Sequence, residues 1–563
     1  MPRRQSVSAT SDDTVRRRQR VEPSHLDVHH RLSSVDAAFL YLERPEIPLS
    51  IASISIFDGP IPFEPFLASI ERKLPLVPRY RHRVVMPPFN VGLPTWEEDP
   101  DFDVRRHIIP VRLERPGGDA ELETLAGRLL SQTMDRSKPL WDVHVVSGLK
   151  GGRGALIWRL HHALADGISG VGLLSVFLDK TPSGSRSPVK TPGRPRHTER
   201  PWPSLGGVIA GAVDSTVQSL AMAEKGFLGF AQSLLSGRMQ SGLTELRGLL
   251  PELAVSVERL PFNKPCGSER KFCWVDLDLA EAQAVREAVG GTLNDVILTV
   301  LTRALARYVR IHGESAVNRF VRIVCPVSLR NGDDNGDLGN QISFLPVALP
   351  LDVRSPVRLM RAVTERMSIM KHAGAAGWVA LLASCIAAMP TPFQALLWKS
   401  IPEIILPVSL FNMICTNVPG SPVPLYAAGR KMIASYPQVP TGWDLGVGCA
   451  VQSYNGKLGV GLIADAHAAP DVGRLRDFIY QSFGELRRAA GVKAAKAQRR
   501  IRRRPKTAAH ATATVQTEPA IGVAHGNAAL PATVAPVSSP APLVRGQRRG
   551  AASEDTGVTA RAI

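Results

Sequence analysis

The sequence predicts an α/β protein with two domains. The chain has 563 residues, which is longer than a single hydrophobic core usually organises. Its hydrophobic content of 44% and charged content of 21% are typical of a folded chain. Each half alternates strand-like and helix-like segments at similar spacing, as α/β proteins do. We therefore expect a mixed sheet with helices in each half, in the α/β (α+β) class.

Strands dominate the first half. Leu49–Gly59 alternates apolar and small polar residues, which predicts a strand. Trp141–Leu149 and Ala155–Leu160 are two more strand-like runs, and the sequence KGGRG between them predicts a hairpin. Ile168–Lys180 has apolar residues at helical spacing.

The second half starts with the same alternation. Phe272–Leu277 is a predicted strand, and a helical pattern follows it directly. Gly290–Val309 predicts a second helix, with Asn294 and Asp295 at its start, where capping side chains stand.

Domain boundaries follow changes in composition. Thr181–Ser204 is rich in Pro, Ser and Arg, as linkers are. The expected order is a disordered basic tail (1–28), a first domain (29–182), a linker with a helical connector (183–266), a second domain (267–488) and a disordered polybasic tail (489–563).

The formal net charge of +18 is concentrated at the ends of the chain. Residues 487–563 contain 14 Lys and Arg against three Asp and Glu, so the part between the tails is only mildly basic. With few aromatic residues and no nucleic-acid-binding fold, we expect no binding to nucleic acid. The polybasic segment Arg487–Lys506 predicts attraction to an anionic membrane or lipid-droplet surface, a solvated tail being the alternative.

Cysteine usage and the N-terminus predict a cytoplasmic protein. The six cysteines include no CxxC pair, which argues against a zinc site and a disulfide framework. No apolar run that would form a signal peptide begins the chain. Ala373–Trp398 has no charged residue, but Pro390 and Pro392 interrupt it. A buried or interfacial helix ending near Met389 is therefore expected in place of a membrane span.

The chemistry is expected at two adjacent histidines. In RLHHALADGISG, His161 and His162 follow a strand and precede a helix, a place where scaffolds position reactive groups. Histidine titrates near neutrality and suits a general base. Asp166 could fold the loop back onto an arginine, and Gly167 would permit a tight turn. The alternative is a structural histidine in a turn.

Other chemistries fit this stretch poorly. The pair is not HExxH and has no third ligand at metal spacing, so we expect no metal. The chain has no GxSxG elbow, which argues against a serine hydrolase. A base without its own nucleophile predicts direct transfer, in which histidine deprotonates the acceptor's hydroxyl or amine.

HHALADG resembles the HHxxxDG signature of the CoA-dependent acyltransferase superfamily. Further segments, in order and spacing, resemble the bacterial wax ester synthase/acyl-CoA:diacylglycerol acyltransferase family. These are Leu32–Leu40, the PLW motif (Pro139, Leu140 and Trp141), the ND pair Asn294 and Asp295, Leu338–Pro350 and Cys415–Tyr426. The resemblance spans about residues 30–488.

The resemblance implies two chloramphenicol-acetyltransferase-like domains that form a pseudo-dimer with a tunnel between them. It implies transfer of a long acyl chain from acyl-CoA, without a cofactor, to diacylglycerol or a fatty alcohol. His162 would be the general base beside His161, with Asp166 and Gly167 shaping the loop. Other residues would shape the site or bind substrate: Pro139, Leu140, Trp141, Asn294, Asp295, Thr416 and Asn417.

Simpler interpretations remain open for the companion residues. Trp141 is expected in packing, Asn294 and Asp295 in a helix cap, and the stretch from Thr416 to Gly420 in a turn. The sequence departs from the family's pattern at Thr416, where serine is usual, and at Gly448, where asparagine is usual.

Three functions are therefore carried forward. The first is neutral-lipid acyl transfer at the inner face of the cell membrane or at lipid droplets. The second is a condensation-type enzyme with another acceptor. The third is a lipid-binding relative without activity.

Overall fold

The computed structural model describes residues 31–164, 176–184, 257–328, 342–372, 389–400 and 411–494, with residues 174, 255 and 386. Its described helices are α1 (Ser34–Leu42), α2 (Phe63–Lys73), α3 (Asp119–Leu130), α4 (Leu279–Val289), α5 (Leu293–Ile311), α6 (Pro356–His372), α7 (Thr391–Ser400) and α8 (Val472–Ala489). None of the helices within these ranges is both long and apolar enough to cross a membrane.

A six-stranded sheet forms the centre of the first half. In spatial order its strands are β11 (Tyr426–Ala427), β12 (Arg430–Gln438), β1 (Ser50–Phe57), β6 (Gly154–His161), β5 (Trp141–Ser147) and β4 (Ile108–Arg112). β1, β5 and β6 are antiparallel neighbours, whereas β4 and β5 run parallel. A small antiparallel pair, β2 (His82–Val85) and β3 (Thr95–Glu98), stands apart.

The second half contains its own six-stranded sheet. In spatial order its strands are β7 (Arg270–Asp278), β14 (Lys457–Asp465), β13 (Val447–Tyr454), β10 (Met413–Pro419), β8 (Phe320–Ser328) and β9 (Ile342–Pro350). The apolar residues of α5, α6 and α8 cover one face of this sheet and form the largest core of the protein.

Two strands of the second half, β11 and β12, belong to the first sheet. β12 pairs antiparallel with β1, so the sheet of the first half is completed by residues far along the chain. β12 also lies against β14, where a Cβ added at Gly459 would stand 2.1 Å from the Ser435 carbonyl oxygen. Glycine is required there because the two backbones approach too closely for a side chain.

A mixed core fills the space between the two sheets. It contains Ile54 and Ile157 from the first sheet, Tyr436 from β12, and Phe272 and Ile463 from the second sheet. A buried arginine of the second half also reaches the first half here. Arg270 Nη1 lies 3.0 Å from Asp465 Oδ2, and the Arg270 guanidinium donates to the carbonyls of Glu46 and Thr441. The two halves are therefore joined by both a shared strand and a buried guanidinium.

The structure confirms the predicted α/β class and most of the predicted elements. The strands expected at Leu49–Gly59, Trp141–Leu149, Ala155–Leu160 and Phe272–Leu277 are β1, β5, β6 and β7. β5 and β6 form the antiparallel pair expected around KGGRG, and α5 is the helix expected at Gly290–Val309. The predicted helices at Ile168–Lys180 and before Met389 lie largely outside the described residues. The predicted domain boundary near residue 267 does not account for β12, which belongs to the second half of the sequence but lies in the first sheet.

Candidate active site

The two histidines lie at the end of β6, between the beginnings of two other segments. The His161 backbone N–H donates to the Leu140 carbonyl at 3.0 Å, just before β5 begins. The His162 N–H donates to the Leu49 carbonyl at 2.9 Å, just before β1. The sheet therefore fixes the backbone of both residues, and their side chains are directed by what surrounds them.

His161 is fully buried and points at a carboxylate. The Ala163 backbone N–H donates to His161 Nδ1 at 3.0 Å, so the neutral ring carries its proton on Nε2. His161 Nε2 lies 3.3 Å from Glu43 Oε1. His161 therefore has Nδ1 bonded to the backbone and Nε2 facing a carboxylate, surroundings that suit a positioning role.

Glu43 is held as a carboxylate at the end of α1. Burial raises its pKa, but the hydrogen bond and charge of His161, the Leu49 N–H and the charge of Arg136 together bring the pKa below its usual value. The Leu49 N–H donates to Glu43 Oε1 at 3.1 Å, and Arg136 Nη2 lies 3.1 Å from Oε2. Sequence reasoning missed Glu43. The indication of Glu43 in the sequence was its position four residues after Phe39, a spacing that places two residues on the same side of a helix.

Phe39 fixes the ring of His162. The two rings stack with centroids 4.1 Å apart and an interplanar angle of 11°, and His162 is buried. Ser33 is the N-cap of α1, and its Oγ accepts a hydrogen bond from the Asp36 N–H at 3.0 Å. One short helix therefore supplies both the aromatic face against His162 and the carboxylate beside His161.

The PLW segment is a backbone support with a buried tryptophan. Pro139 precedes Leu140, which is fully buried and supplies the carbonyl that His161 uses. Trp141 Nε1 donates to the Tyr80 carbonyl at 2.8 Å, and its ring stacks on His107 at 4.5 Å. Trp141 is thus packed within the first half, in the simpler of the two roles considered from sequence.

Asn294 and Asp295 lie in the second half, at the beginning of α5. The sequence placed them at the N-cap, but the N-cap is Thr292. Asp295 is the third helical residue, and it accepts the Thr292 N–H at Oδ2 at 2.8 Å while its own N–H donates to Thr292 Oγ1 at 3.3 Å. In a reciprocal capping box the third helical residue accepts the backbone N–H of the N-cap residue. The N-cap therefore lies three residues before Asp295, at Thr292. Asn294 is half-buried beside it.

Thr416 and Asn417 belong to a strand. The expected turn from Thr416 to Gly420 is wrong for its first four residues, because β10 continues to Pro419 and pairs in parallel with β13. Thr416 lies opposite Ala450, and Asn417 lies opposite Val451. Since side chains alternate along a strand, Thr416 shares the face of Ala450, which belongs to the core between the sheets.

Gly448 has no space for an asparagine. A Cβ at this position would lie 2.8 Å from Thr441 Cγ2 and 3.0 Å from both Val439 Cγ1 and Ile463 Cγ2. Thr441 and Val439, which follow β12, therefore fill the volume into which a longer side chain would extend.

The predicted residues thus fall into separate groups. His161, His162 and Leu140 meet at one end of the first sheet, while Asn294, Asp295, Thr416 and Asn417 belong to the second half. Asp166 and Gly167 lie outside the described residues. Across the ranges given above, no group of three or more His, Cys, Asp or Glu side chains is arranged to hold a metal ion.

Comparison with known families decides what this arrangement represents. Residues 32–297 match the wax ester synthase/diacylglycerol acyltransferase catalytic domain, and residues 338–487 match the C-terminal domain of the same family. The chain belongs to the wax ester synthase/diacylglycerol acyltransferase family. It is therefore an acyltransferase, and the histidine pair lies within its catalytic domain.

Relatives agree with this assignment. A probable diacylglycerol O-acyltransferase of Mycobacterium tuberculosis is 29% identical over 472 residues, covering 81% of this chain and 96% of the relative. A putative diacylglycerol O-acyltransferase of Mycobacterium bovis is 28% identical over 470 residues, covering 81% and 98%.

Solved structures share the fold. The wax ester synthase/diacylglycerol acyltransferase of Marinobacter aquaeolei superposes with a TM-score of 0.57 at 23% identity, covering 82% of this chain and all of the other. The first condensation domain of the calcium-dependent antibiotic synthetase superposes with a TM-score of 0.53 at 15% identity, covering 83% and 97%. The two-domain, chloramphenicol-acetyltransferase-like fold predicted from the sequence is confirmed.

Proposed function

We propose that this protein transfers a long acyl chain from acyl-CoA to the hydroxyl of diacylglycerol, of a fatty alcohol, or of both. The single observation that carries this proposal is the buried histidine pair at the end of β6, inside the matched catalytic domain. His161 accepts the Ala163 N–H at Nδ1 and faces Glu43 with Nε2, while the ring of His162 is held against Phe39. Stacking keeps the imidazole plane of His162 in one orientation, as a positioned general base requires.

The reaction needs one base and no covalent intermediate. His162 takes the proton of the acceptor hydroxyl as its oxygen attacks the thioester carbonyl. The carbon–sulfur bond breaks, CoA leaves as a thiolate, and the histidine returns the proton to sulfur. The products are an ester and free CoA, and His162 regains its starting state.

The other predicted residues are assigned supporting roles. His161, together with Glu43, which the sequence did not predict, fixes the strand end from which His162 projects. Asn294, Asp295, Thr416 and Asn417 would line the second-half wall of a tunnel between the domains. Residues 29–182 and 267–488 are proposed as the domains, with β12 exchanged between them.

An activity assay separates the candidate functions. Purified protein is incubated with labelled palmitoyl-CoA and either diacylglycerol or hexadecanol. Labelled triacylglycerol or wax ester is the expected product. Labelled amide formed only from an amine acceptor would favour a condensation-type enzyme. Binding of both lipids without any product would favour the lipid-binding relative.

We further propose that the protein works at an anionic phospholipid surface on the cytoplasmic side. α7 turns Thr391, Gln394 and Ala395 inward but leaves Phe393 and Leu396 each 63% exposed. Phe89 is 92% exposed in a turn next to α7, where the Gly92 N–H donates to Thr391 Oγ1.

The charges beside this face suit such a surface. Lys399 stands at the C-terminal end of α7, and no acidic residue occurs in 86–95 or 389–400. Exposed aromatic and aliphatic side chains with a neighbouring cation are typical of interfacial helices. α7 packs against α1, so the apolar face is one helix away from His162.

Vesicle flotation tests this face. The double variant Phe393→Ser/Leu396→Ser should lose most binding to vesicles containing phosphatidylglycerol. Tyr480→Ser is the matched control, because Tyr480 is also 63% exposed but lies on α8. Unchanged flotation of the double variant would contradict the proposal, and loss only on deletion of residues 489–563 would assign binding to the polybasic tail.

A further inference from the structure

Three buried side-chain oxygens at the junction of the two sheets have no hydrogen-bond partner among the described residues. They are Ser50 Oγ, Gln438 Oε1 and Thr441 Oγ1. The three residues are 3%, 7% and 4% exposed, respectively. A polar group buried without a partner costs about 1–3 kcal/mol, so native proteins normally pair such groups.

The three residues lie around the beginning of β1. Ser50 is paired with His161 across β1 and β6. Gln438 is paired with Ala52 across β12 and β1, and therefore shares a sheet face with Ser50. Thr441 follows β12 by three residues, and its carbonyl accepts from Arg270 Nη2, which also donates to the Glu46 carbonyl before β1. The three side chains therefore belong to the end of β1 that adjoins His161.

Several neighbouring polar groups are paired within the protein. Arg270 pairs with Asp465 and donates to several carbonyls. Further along β1, Ser53 bonds to Ser435 at 3.0 Å, and Ser435 donates to Gln452 at 2.9 Å. Neither of these two networks includes the Ser50, Gln438 or Thr441 side-chain oxygens.

We propose that Ser50, Gln438 and Thr441 bind the ester carbonyls of diacylglycerol and make the enzyme prefer it to a fatty alcohol. The inference rests on the acyl transfer proposed above. Diacylglycerol carries two ester carbonyls close to its hydroxyl, and a fatty alcohol carries none. The Ser50 and Thr441 hydroxyls are donors, and a half-turn of the Gln438 carboxamide presents an N–H.

Thr441 also connects this preference to Gly448. The absence of a side chain at Gly448 leaves the volume that the Thr441 methyl occupies, 2.8 Å from where a Cβ would stand. Because Gly448 has no side chain, the Thr441 side chain can occupy this volume, which determines the position of its hydroxyl. We therefore connect the glycine at position 448, where the family's pattern has asparagine, with the choice of acceptor.

Isosteric variants test the inference. The double variant Ser50→Ala/Thr441→Val is compared with wild type in kcat/KM for dioleoylglycerol and for hexadecanol, at fixed palmitoyl-CoA. We expect about a tenfold loss per hydroxyl with diacylglycerol, and less than a twofold change with hexadecanol. The matched control is Thr302→Val, a buried threonine that bonds within α5, and it should change neither ratio.

Other results would overturn the inference in distinguishable ways. Equal losses with both acceptors, or a raised KM for palmitoyl-CoA, would assign these residues to something other than the diacylglycerol esters. The Tm of Thr441→Val should stay level or rise, because an unpaired hydroxyl is removed; a fall would show a structural hydrogen bond. If wild type acylates neither acceptor, the proposed function itself fails.

Discussion

Each half of this molecule contains a six-stranded sheet, but the two sheets carry different reactive side chains. The first sheet ends in His161 and His162, with Glu43 and Arg136 behind them. The second sheet carries Cys325, Cys415 and Cys449 on neighbouring strands, all buried. Burial raises the pKa of Cys325 well above its usual value, and the Cys449 contact and burial do the same for Cys415.

This difference shows that two sheets of the same size carry different kinds of side chains. Thiols with such raised pKa values stay protonated and behave as small apolar groups. The second half therefore contributes packing and two strands, β11 and β12, to the first sheet. Among the described residues, the charged side chains Glu43 and Arg136 next to His161 come from the first half.

The largest expected effect is at Arg270, which pairs with Asp465 in the second half and donates to the Glu46 carbonyl of the first half. Arg270→Met leaves Asp465 charged, fully buried and without its cation. The free energy of unfolding should fall by about 3–5 kcal/mol, measured by urea denaturation. The double variant Arg270→Met/Asp465→Asn should recover part of this loss, because the carboxamide oxygen introduced at position 465 can still accept backbone N–H groups that now donate to Asp465. A single variant as stable as wild type would show that Arg270 does not stabilise the fold.

A smaller effect is expected at Glu43. Glu43→Gln keeps the shape but removes the charge that holds His161, so kcat should fall about 10–100-fold with KM for acyl-CoA nearly unchanged. Glu485→Gln is the control, since Glu485 pairs with Arg303 and Arg307 in the second half. A kcat for Glu43→Gln equal to that of the control would remove the positioning role.

Lowering the pH should reduce the free energy of unfolding through Asp142, which lies in the first half. Burial raises the pKa of Asp142, but hydrogen bonds from His144 and Arg159 lower it from about 3.8 to about 2. A carboxyl group whose pKa is lower in the folded state than in the unfolded state stabilises the fold at pH values above its unfolded-state pKa. This stabilisation is lost as the pH falls from about 4 to about 2. The contribution is about 2 kcal/mol. Asp142→Asn should flatten this limb of the stability–pH curve; an unchanged limb would contradict the assignment.

The smallest effect is expected at the buried thiols. Cys415→Ala should leave kcat within about twofold, and a maleimide reagent should not label Cys325 or Cys415 in the folded protein at neutral pH. Mass spectrometry of tryptic peptides checks this directly. Rapid labelling of either thiol, or loss of turnover on labelling, would remove the chemical contrast between the sheets.

Much of this fold could be predicted from local patterns. Alternation and turn residues gave β1, β5, β6 and β7, because each of these depends on its own side chains. The pairing of β12 with β1 could not be predicted, since it joins residues about 380 positions apart. Such pairing leaves no periodic signal in either segment.

The site divides in the same way. HHALADG drew attention to the histidine pair because histidine is itself a reactive residue type, whereas Glu43 resembles any residue at a helix end. The role of Asn294 and Asp295 was misplaced by two or three residues because Thr292 competes as the cap. The turn expected at Thr416 gave way to β10 because pairing with β13 outweighs local turn preference.

Turnover by His162→Ala tests the central claim most directly. The purified variant is assayed with labelled palmitoyl-CoA and diacylglycerol or hexadecanol, and its Tm is measured beside wild type. We expect kcat to fall about 10²–10⁴-fold, the range for loss of a general base, with the fold retained. A folded variant that keeps near-wild-type turnover would contradict the assignment of His162 as the base.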